Sequence, residues 1–303
     1  MIHSITAIHH TGDSITIELT KPHETGFIIT SIDGLGPVKS TINITEVTTN
    51  DGGVFNSARS SFRNIVIHML FEMTDTESIE DIRHKSYRYF PLKKPVTLII
   101  KTDKRTMKIV GYVESNEPNI FSEQEGCDIS LICPDPNLYS ELSDTIVMGY
   151  VESAFEFPFS NESLHTPLLE VSRFKNTSNQ MVIYNGDSEI GILMTIYVKG
   201  DIGNITLYNV DNRDQMIIDI NKIALIAGTG LTTGDVIVIN TRKNNKRAIL
   251  LRNGMEINIL NALARTSNWI TLQPGVNNLA FTTEFGRNNV EIYINNEIVY
   301  DGV

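Results

Sequence analysis

The sequence predicts a mainly β protein: an N-terminal β-sandwich carrying one α-helix, followed by a C-terminal β-sandwich. Three observations predict it. Short runs alternate apolar and polar side chains with the two-residue period of a strand; clusters of Gly, Asn, Asp and Pro interrupt them; and a single window in the 303 residues carries both the caps and the apolar face of a helix.

The first elements are Ser4 to Ile8 and Ser14 to Leu19, a β-hairpin closed by Thr11-Gly12-Asp13. Phe27-Ile28-Ile29 follows, then a turn at Asp33-Gly34-Leu35-Gly36-Pro37, where the glycines supply unusual backbone angles and Pro37 stops ladder pairing. Alternation resumes from Ser40 to Val47 and runs into Thr49 to Ser57, a polar, glycine-rich tip that reads as a long exposed loop. After a strand from Arg63 to Phe71 comes the helix. Thr74 with Glu77 gives a capping-box pattern, acidic residues fill the early turns, Ile79, Ile82 and Tyr89 share a face, and Pro91 ends the run. Strands resume at Val96 to Lys101, Met107 to Glu114 and Cys127 to Cys133.

Pro134-Asp135-Pro136 removes two backbone donors, so the sheet should end there. A chain of this length suits two cores, and the expected domains are 1–137 and 138–303. The second half reads as short strands between Asn, Asp and Gly: Ile190 to Lys199, Asn204 to Tyr208, Met216 to Asp219, Asp235 to Asn240, Arg247 to Leu251, Asn277 to Thr283 and Val290 to Ile294. Asn295-Asn296 reads as a hairpin turn into Glu297 to Tyr300. Such spacing with almost no helix argues for a sandwich.

Composition excludes several classes. Hydrophobic residues at 41% and charged residues at 20% suit a chain that buries a core. A formal charge of -11 opposes the counterion release by which proteins hold polyphosphate, and it would suit a surface past which DNA slides without sticking. No run approaches the roughly 18 apolar residues of a membrane span, and Met1-Ile2-His3-Ser4 does not open a signal peptide, which predicts folding in the cytoplasm and no membrane insertion. In a straight strand Cys127 and Cys133 would stand roughly 20 Å apart, too far for a disulfide, so both read as reduced thiols.

Readable chemistry is sparse, and no catalytic residue, cofactor site or metal site is expected. Gly228 to Gly234 lacks the lysine and the following helix of a phosphate loop, and reads as a turn before a strand. His9 and His10 are neighbours that should face opposite sides of a strand. His68 reads as a core-edge histidine and His84 as a helix-end charge. No GxSxG elbow is present. Glu152, Glu156, Glu284 and Glu291 are carboxylates of the type a glycosidase pairs, but read as solvated surface. Trp269, the single tryptophan, lies in the alternating run Ser267 to Leu272. Packing explains it, and stacking on a sugar ring is the alternative.

Several phrases occur in an order that resembles the phage distal tail protein family, the siphovirus tail component family. They are Ile32-Asp33-Gly34-Leu35-Gly36-Pro37, Asp51-Gly52-Gly53-Val54-Phe55-Asn56, Tyr87 to Leu92, Gly111 to Ser115 with Glu117-Pro118 and Ile120-Phe121-Ser122, and Glu125-Gly126-Cys127 followed by Ile129 to Pro136. The second half carries weaker echoes of the family's galectin-like domain in Tyr184 to Asp187, Gly191, Leu231 to Thr241, Trp269 to Asn277 and Tyr300 to Val303. It lacks the long insertions that some members use to bind carbohydrate.

The resemblance implies a tail-tube-like ring domain followed by a galectin-like sandwich, in a structural, non-enzymatic subunit of the virion tail tip. It implies a homohexamer joining the tail-tube protein to the tail-associated lysin or tip hub, with a receptor-binding protein as a further partner and DNA passing through unbound. The loop carrying Asp51, Gly52, Gly53, Phe55, Asn56 and Arg59 is the candidate subunit interface, since a long loop can reach a neighbour and close a ring. Under the alternative function, the C-terminal sandwich is a host-surface carbohydrate-binding module with Trp269 as its contact.

Overall fold

The computed structural model describes residues 1–46, 51–153, 172–175 and 179–303. They cluster into two compact units, Met1–Glu141 with Val299–Val303, and Leu142–Ile298. Both are mainly β, as the alternation predicts, with two α-helices among the described residues.

The first unit contains β1 (Ile2–His9), β2 (Ser14–Glu18), β3 (Phe27–Asp33), β4 (Ser40–Glu46), β5 (Gly53–Ser60), β6 (Arg63–Phe71), α1 (Ile79–Tyr89), β7 (Pro95–Thr102), β8 (Thr106–Pro118) and β9 (Gly126–Cys133). Strands β2, β1, β7, β8, β9, β6 and β3 pair antiparallel in that order. β8 is shared: its first half pairs with β7, its second half with β9, and the register shifts between Val113 and Ser115, where the change occurs. Bulges of this kind bend a strand so that it can serve two sheet directions. β10 (Leu138–Met148) joins the edge of β8 through Tyr139 and Ser140.

Alternate residues of β1, β2, β6, β7, β8 and β9, with Phe27 of β3, enter one core. Ile5, Ala7, Leu98, Ile100, Ile109, Ile65, Ile67, Met69, Ile129 and Leu131 are all at least 98% buried. Phe27 and Phe71 meet edge to face with ring centroids 6.0 Å apart. Helix α1 packs on β1, β6 and β8 through Ile82 and Ser86, both fully buried. Its cap differs from the expected one. The box is formed by Ser78, whose Oγ accepts from the Asp81 backbone N–H, and Asp81, whose carboxylate accepts from the Ser78 N–H. Thr74 instead accepts from the Thr76 and Glu77 amides, closing a turn one step earlier.

In the second unit, β11 (Tyr150–Ser153) pairs with β12 (Ser172–Lys175). Then follow β13 (Asn179–Tyr184), β14 (Ile190–Gly191), β15 (Leu193–Val198), β16 (Ile205–Asn209), β17 (Asp214–Ile218), α2 (Ile220–Ala227), β18 (Val236–Asn240), β19 (Arg247–Arg252), β20 (Met255–Asn258), β21 (Thr271–Leu272), β22 (Gly275–Thr283) and β23 (Val290–Tyr300). One layer runs β23, β15, β18, β19, β20 and the other β13, β22, β16, β17, all antiparallel. Ile196, Ile237, Leu250 and Ile292 from the first, with Ile205, Leu207, Ile218 and Phe281 from the second, are buried, as a sandwich requires.

Two elements depart from the alternation reading. Residues 220–227 form a helix, with Asp219 accepting from the Asn221 and Lys222 amides and Gly228 ending it at φ 82°. Asn295 and Asn296 lie inside the continuous strand β23, where Asn295 stands opposite Leu193 and Asn296 is buried. A partner ladder along this stretch overrides the turn preference of an Asn pair.

Candidate functional site

The segment between the Asp33–Pro37 turn and β6 is a two-stranded arm. Among the described residues, which leave out 47–50, β4 and β5 pair only with each other, and every residue in both strands is exposed. Most of the expected interface loop is therefore strand: Gly53, Phe55, Asn56 and Arg59 lie on β5, and Asp51 and Gly52 lead into it. Alternation that continues through Val54 and Phe55 explains the correction, because pairing extends as far as both strands can supply it. Asn56 donates to Thr45 Oγ1 at 2.6 Å beside a register shift at Asn43 and Ile44.

Register gives the arm two unlike faces. Ile44 stands opposite Phe55 and Ile42 opposite Ala58, so these four share one side; Arg59 stands opposite Thr41 on the other. Ile42, Ile44 and Phe55 are each about 60% exposed (58, 58 and 63%). A lone two-stranded hairpin is marginal in water, and an apolar face on one calls for cover that the described residues do not supply.

Arg63 fixes the root of the arm. Its guanidinium donates to the carbonyls of Gly34 and Gly36, both at 2.7 Å, of Pro136 at 2.7 Å and of Asp301 at 2.9 Å, and the residue is 2% exposed. Burial lowers its pKa from the usual guanidinium value, the nearby Cys133 and Asp301 opposing weakly. The turn it holds needs glycine: at φ 83°, a Cβ on Gly34 would lie 1.9 Å from the Asn64 carbonyl oxygen. The residues after β23 return to the same turn, with the Val303 N–H donating to Leu35 O at 3.0 Å and Arg105 lying 4.5 Å over the Tyr300 ring. Sequence reading passed over Arg63, whose acceptors are all backbone carbonyls and leave no pattern.

Trp269 lies outside any strand, just before β21, and is half-buried with Lys246 Nζ 5.3 Å from its ring centroid. Further along the chain, Asn277 accepts from the Gln273 amide at 2.9 Å and donates to the Gln273 carbonyl at 2.7 Å, while Asn209 bonds both Asn277 and the Thr271 carbonyl. This buried amide network sets the path of residues 271–277.

The remaining candidates do not assemble. The His9 and His10 rings lie against each other with centroids 3.9 Å apart, because His10 has already left β1 for the turn. His68 is on the outer face of β6, bonded to Asp128 at 2.7 Å, and His84 faces Glu80 on its own helix at 3.8 Å. Glu284 bonds Asn204, and Glu291 pairs with Lys199 at 2.6 Å. Glu156 and the Glu152 side chain lie outside the described residues. Gly228 to Gly234 is a loop whose following strand is held by Asp235 and Arg252.

Residues 185–296 match the family model of the siphovirus-type tail component, C-terminal domain. No curated protein matches the chain at a significant level. Among solved structures, the Dit protein of phage SPP1, described as a paradigm of the hub adsorption apparatus in phages infecting Gram-positive hosts, superposes with a TM-score of 0.65 at 14% identity, over 97% of this chain and 99% of that one. The phage P2 baseplate in its activated conformation with Ca gives a TM-score of 0.52 at 13% identity, over all of both chains; with Sr the values are 0.50 and 13%, over 98% of each. Residues 185–296 are thus similar to the C-terminal domain of the siphovirus-type tail component family, and along its length the chain shares the fold of the SPP1 Dit protein.

Proposed function

We propose that this protein is a non-enzymatic structural subunit of a phage tail tip, six copies of which close a ring between the tail-tube protein and the tail-associated lysin or tip hub. The observation that carries the reading is the β4–β5 arm, whose apolar side (Ile42, Ile44, Phe55) has no cover within the described residues. An arm that leaves its own body and meets a different patch on a neighbour makes a heterologous contact, and such contacts close into rings. Asp51, Gly52, Gly53, Phe55, Asn56 and Arg59 belong to that contact. Residues 1–137 supply the ring wall and 138–303 a sandwich that scaffolds the adsorption device and its receptor-binding protein. The acidic balance suits a channel through which DNA passes unbound. The work is done by rigid surfaces, with no bond made or broken, at the virion tail tip after assembly in the host cytoplasm.

Light scattering and negative-stain imaging of the full chain test it. Hexameric rings, single or stacked in pairs, are expected, and Ile44→Asp with Phe55→Asp should give folded monomers with an unchanged circular dichroism spectrum. A strictly monomeric wild-type chain at high concentration that binds neither tail-tube nor hub protein refutes the reading. A second role, host-surface carbohydrate binding by the C-terminal sandwich, is supported by the half-open indole of Trp269. A glycan array probed with the full chain tests it, and binding that survives Trp269→Ala would remove Trp269 as the contact.

A further inference from the structure

The turn between β18 and β19, Thr241-Arg242-Lys243-Asn244-Asn245-Lys246, with Arg247 opening β19, concentrates positive charge in a chain whose formal charge is -11. Two of its cations are satisfied within the sandwich: Arg242 lies 2.9 Å from Glu297, and Lys243 lies 3.2 Å from Glu189. Lys246 and Arg247 form no ion pair among the described residues. Lys246 is instead held over the half-buried Trp269 ring at 5.3 Å, and Asn244, at φ 64°, folds the turn back on itself. The amide network of Asn209 and Asn277 fixes the segment that follows the indole, so cations and ring are presented from ordered backbone.

An uncompensated cation over an aromatic ring, Lys246 on Trp269, with a second exposed cation, Arg247, next to it in the chain, matches a ligand with both sparse negative charge and sugar-like C–H surface. The cations meet the charge, and the open part of the indole meets the carbon skeleton. We propose that the β18–β19 turn and Trp269 bind an anionic cell-surface glycopolymer, a chain of polyol or sugar units joined by phosphodiesters. This rests on the carbohydrate role of the second sandwich and specifies its ligand as a polyanion. Duplex DNA is a poorer match, because its dense phosphates demand many cations and meet strong repulsion from an acidic protein.

Because Trp269 is the single tryptophan, its emission reports on the site in the full chain. Poly(glycerol phosphate) is expected to shift that emission saturably, with affinity falling as salt rises. Lys246→Ala with Arg247→Ala should weaken binding roughly tenfold or more, and Lys246→Arg with Arg247→Lys should retain it. Equal binding of neutral dextran, or dextran binding without poly(glycerol phosphate) binding, overturns the polyanion inference and leaves the carbohydrate role standing. Binding of neither polymer removes both. A duplex oligonucleotide bound as tightly as poly(glycerol phosphate) overturns the assignment to a glycopolymer.

Discussion

The Arg63 guanidinium donates to the Asp301 carbonyl oxygen at 2.9 Å, tying the start of β6 to a residue 238 positions later. The same guanidinium holds Gly34, Gly36 and Pro136, so one buried cation serves three chain segments through backbone carbonyls. Removing it leaves those carbonyls without their donor in a site that excludes water, which costs more than the bonds were worth in net terms. Arg63→Met, which keeps most of the apolar stem, is expected to lower the stability of the first unit by about 3 kcal/mol or more. Deleting residues 301–303 removes one acceptor and the Val303 bond, for a loss nearer 1 kcal/mol. Urea unfolding followed by circular dichroism measures both, and equal losses would show that Arg63 is not the shared anchor.

His68 is the titratable group whose surroundings fix the pH response of the outer face of β6. Its hydrogen bond to Asp128 raises its pKa; partial burial opposes this, and the charge of Asp128 with the bond and charge of Asp33 adds to the rise. A histidine whose folded value is raised stabilises the fold fully below its unfolded pKa, near 6.5, and loses that contribution as pH climbs through the folded value. NMR titration should therefore place His68 above 6.5, and Asp128→Asn should bring it down. A His68 midpoint unchanged by Asp128→Asn would refute the pairing.

Strand positions were largely legible in the amino-acid sequence because one face of each layer is buried, which imposes a period of two on residues such as Ile65, Ile67 and Met69. Four features were not. Helix α2 is a short, mostly apolar helix of eight residues, about two turns, between strands, and only its ends, Asp219 and Gly228, distinguish it from a strand. Asn295 and Asn296 have turn propensity, which pairing of Asn295 with Leu193 of β15 and continuation of the strand through the buried Asn296 overrule. At the candidate site, Asp51 to Asn56 read as the tip of a loop, whereas the paired arm depends on β4 and β5 finding each other while no other strand joins them among the described residues. Arg63 carries no local signal, since its partners are spread from Gly34 to Asp301.

Both thiols should be inert in the folded protein. Burial pushes Cys127 up to about 12 and Cys133 up to about 11; a bond with Ser86 moderates the first, and the charge of Arg63 moderates the second. At pH 8 the reactive thiolate is then roughly one part in 10³ to 10⁴, against about a quarter for an ordinary cysteine. Ellman's reagent is expected to label neither Cys127 nor Cys133 until denaturant is added. Rapid labelling of the native chain at pH 8 would contradict the burial of both.

The turn before β18 depends on a single ion pair. Arg252 donates to Asp235 at 2.9 and 2.5 Å and also reaches Thr229 Oγ1 and the Gly230 carbonyl, while Thr232 donates to Asp235 through its amide at 2.8 Å. Burial works to raise the Asp235 pKa, but the Arg252 and Thr232 bonds outweigh it and hold the carboxyl below its ordinary value. A depressed carboxylate stabilises the fold above its unfolded pKa, near 3.9, and the contribution disappears as pH falls through the lower folded value. Asp235→Ala leaves Arg252 as an uncompensated, half-buried cation and should cost about 3 kcal/mol at neutral pH. Adding Arg252→Met removes that stranded charge and should recover part of the loss. Urea unfolding of both variants at pH 7 measures this, and a double variant less stable than Asp235→Ala alone would show that Arg252 is held by its bonds to the Thr229–Gly230 loop and not by Asp235.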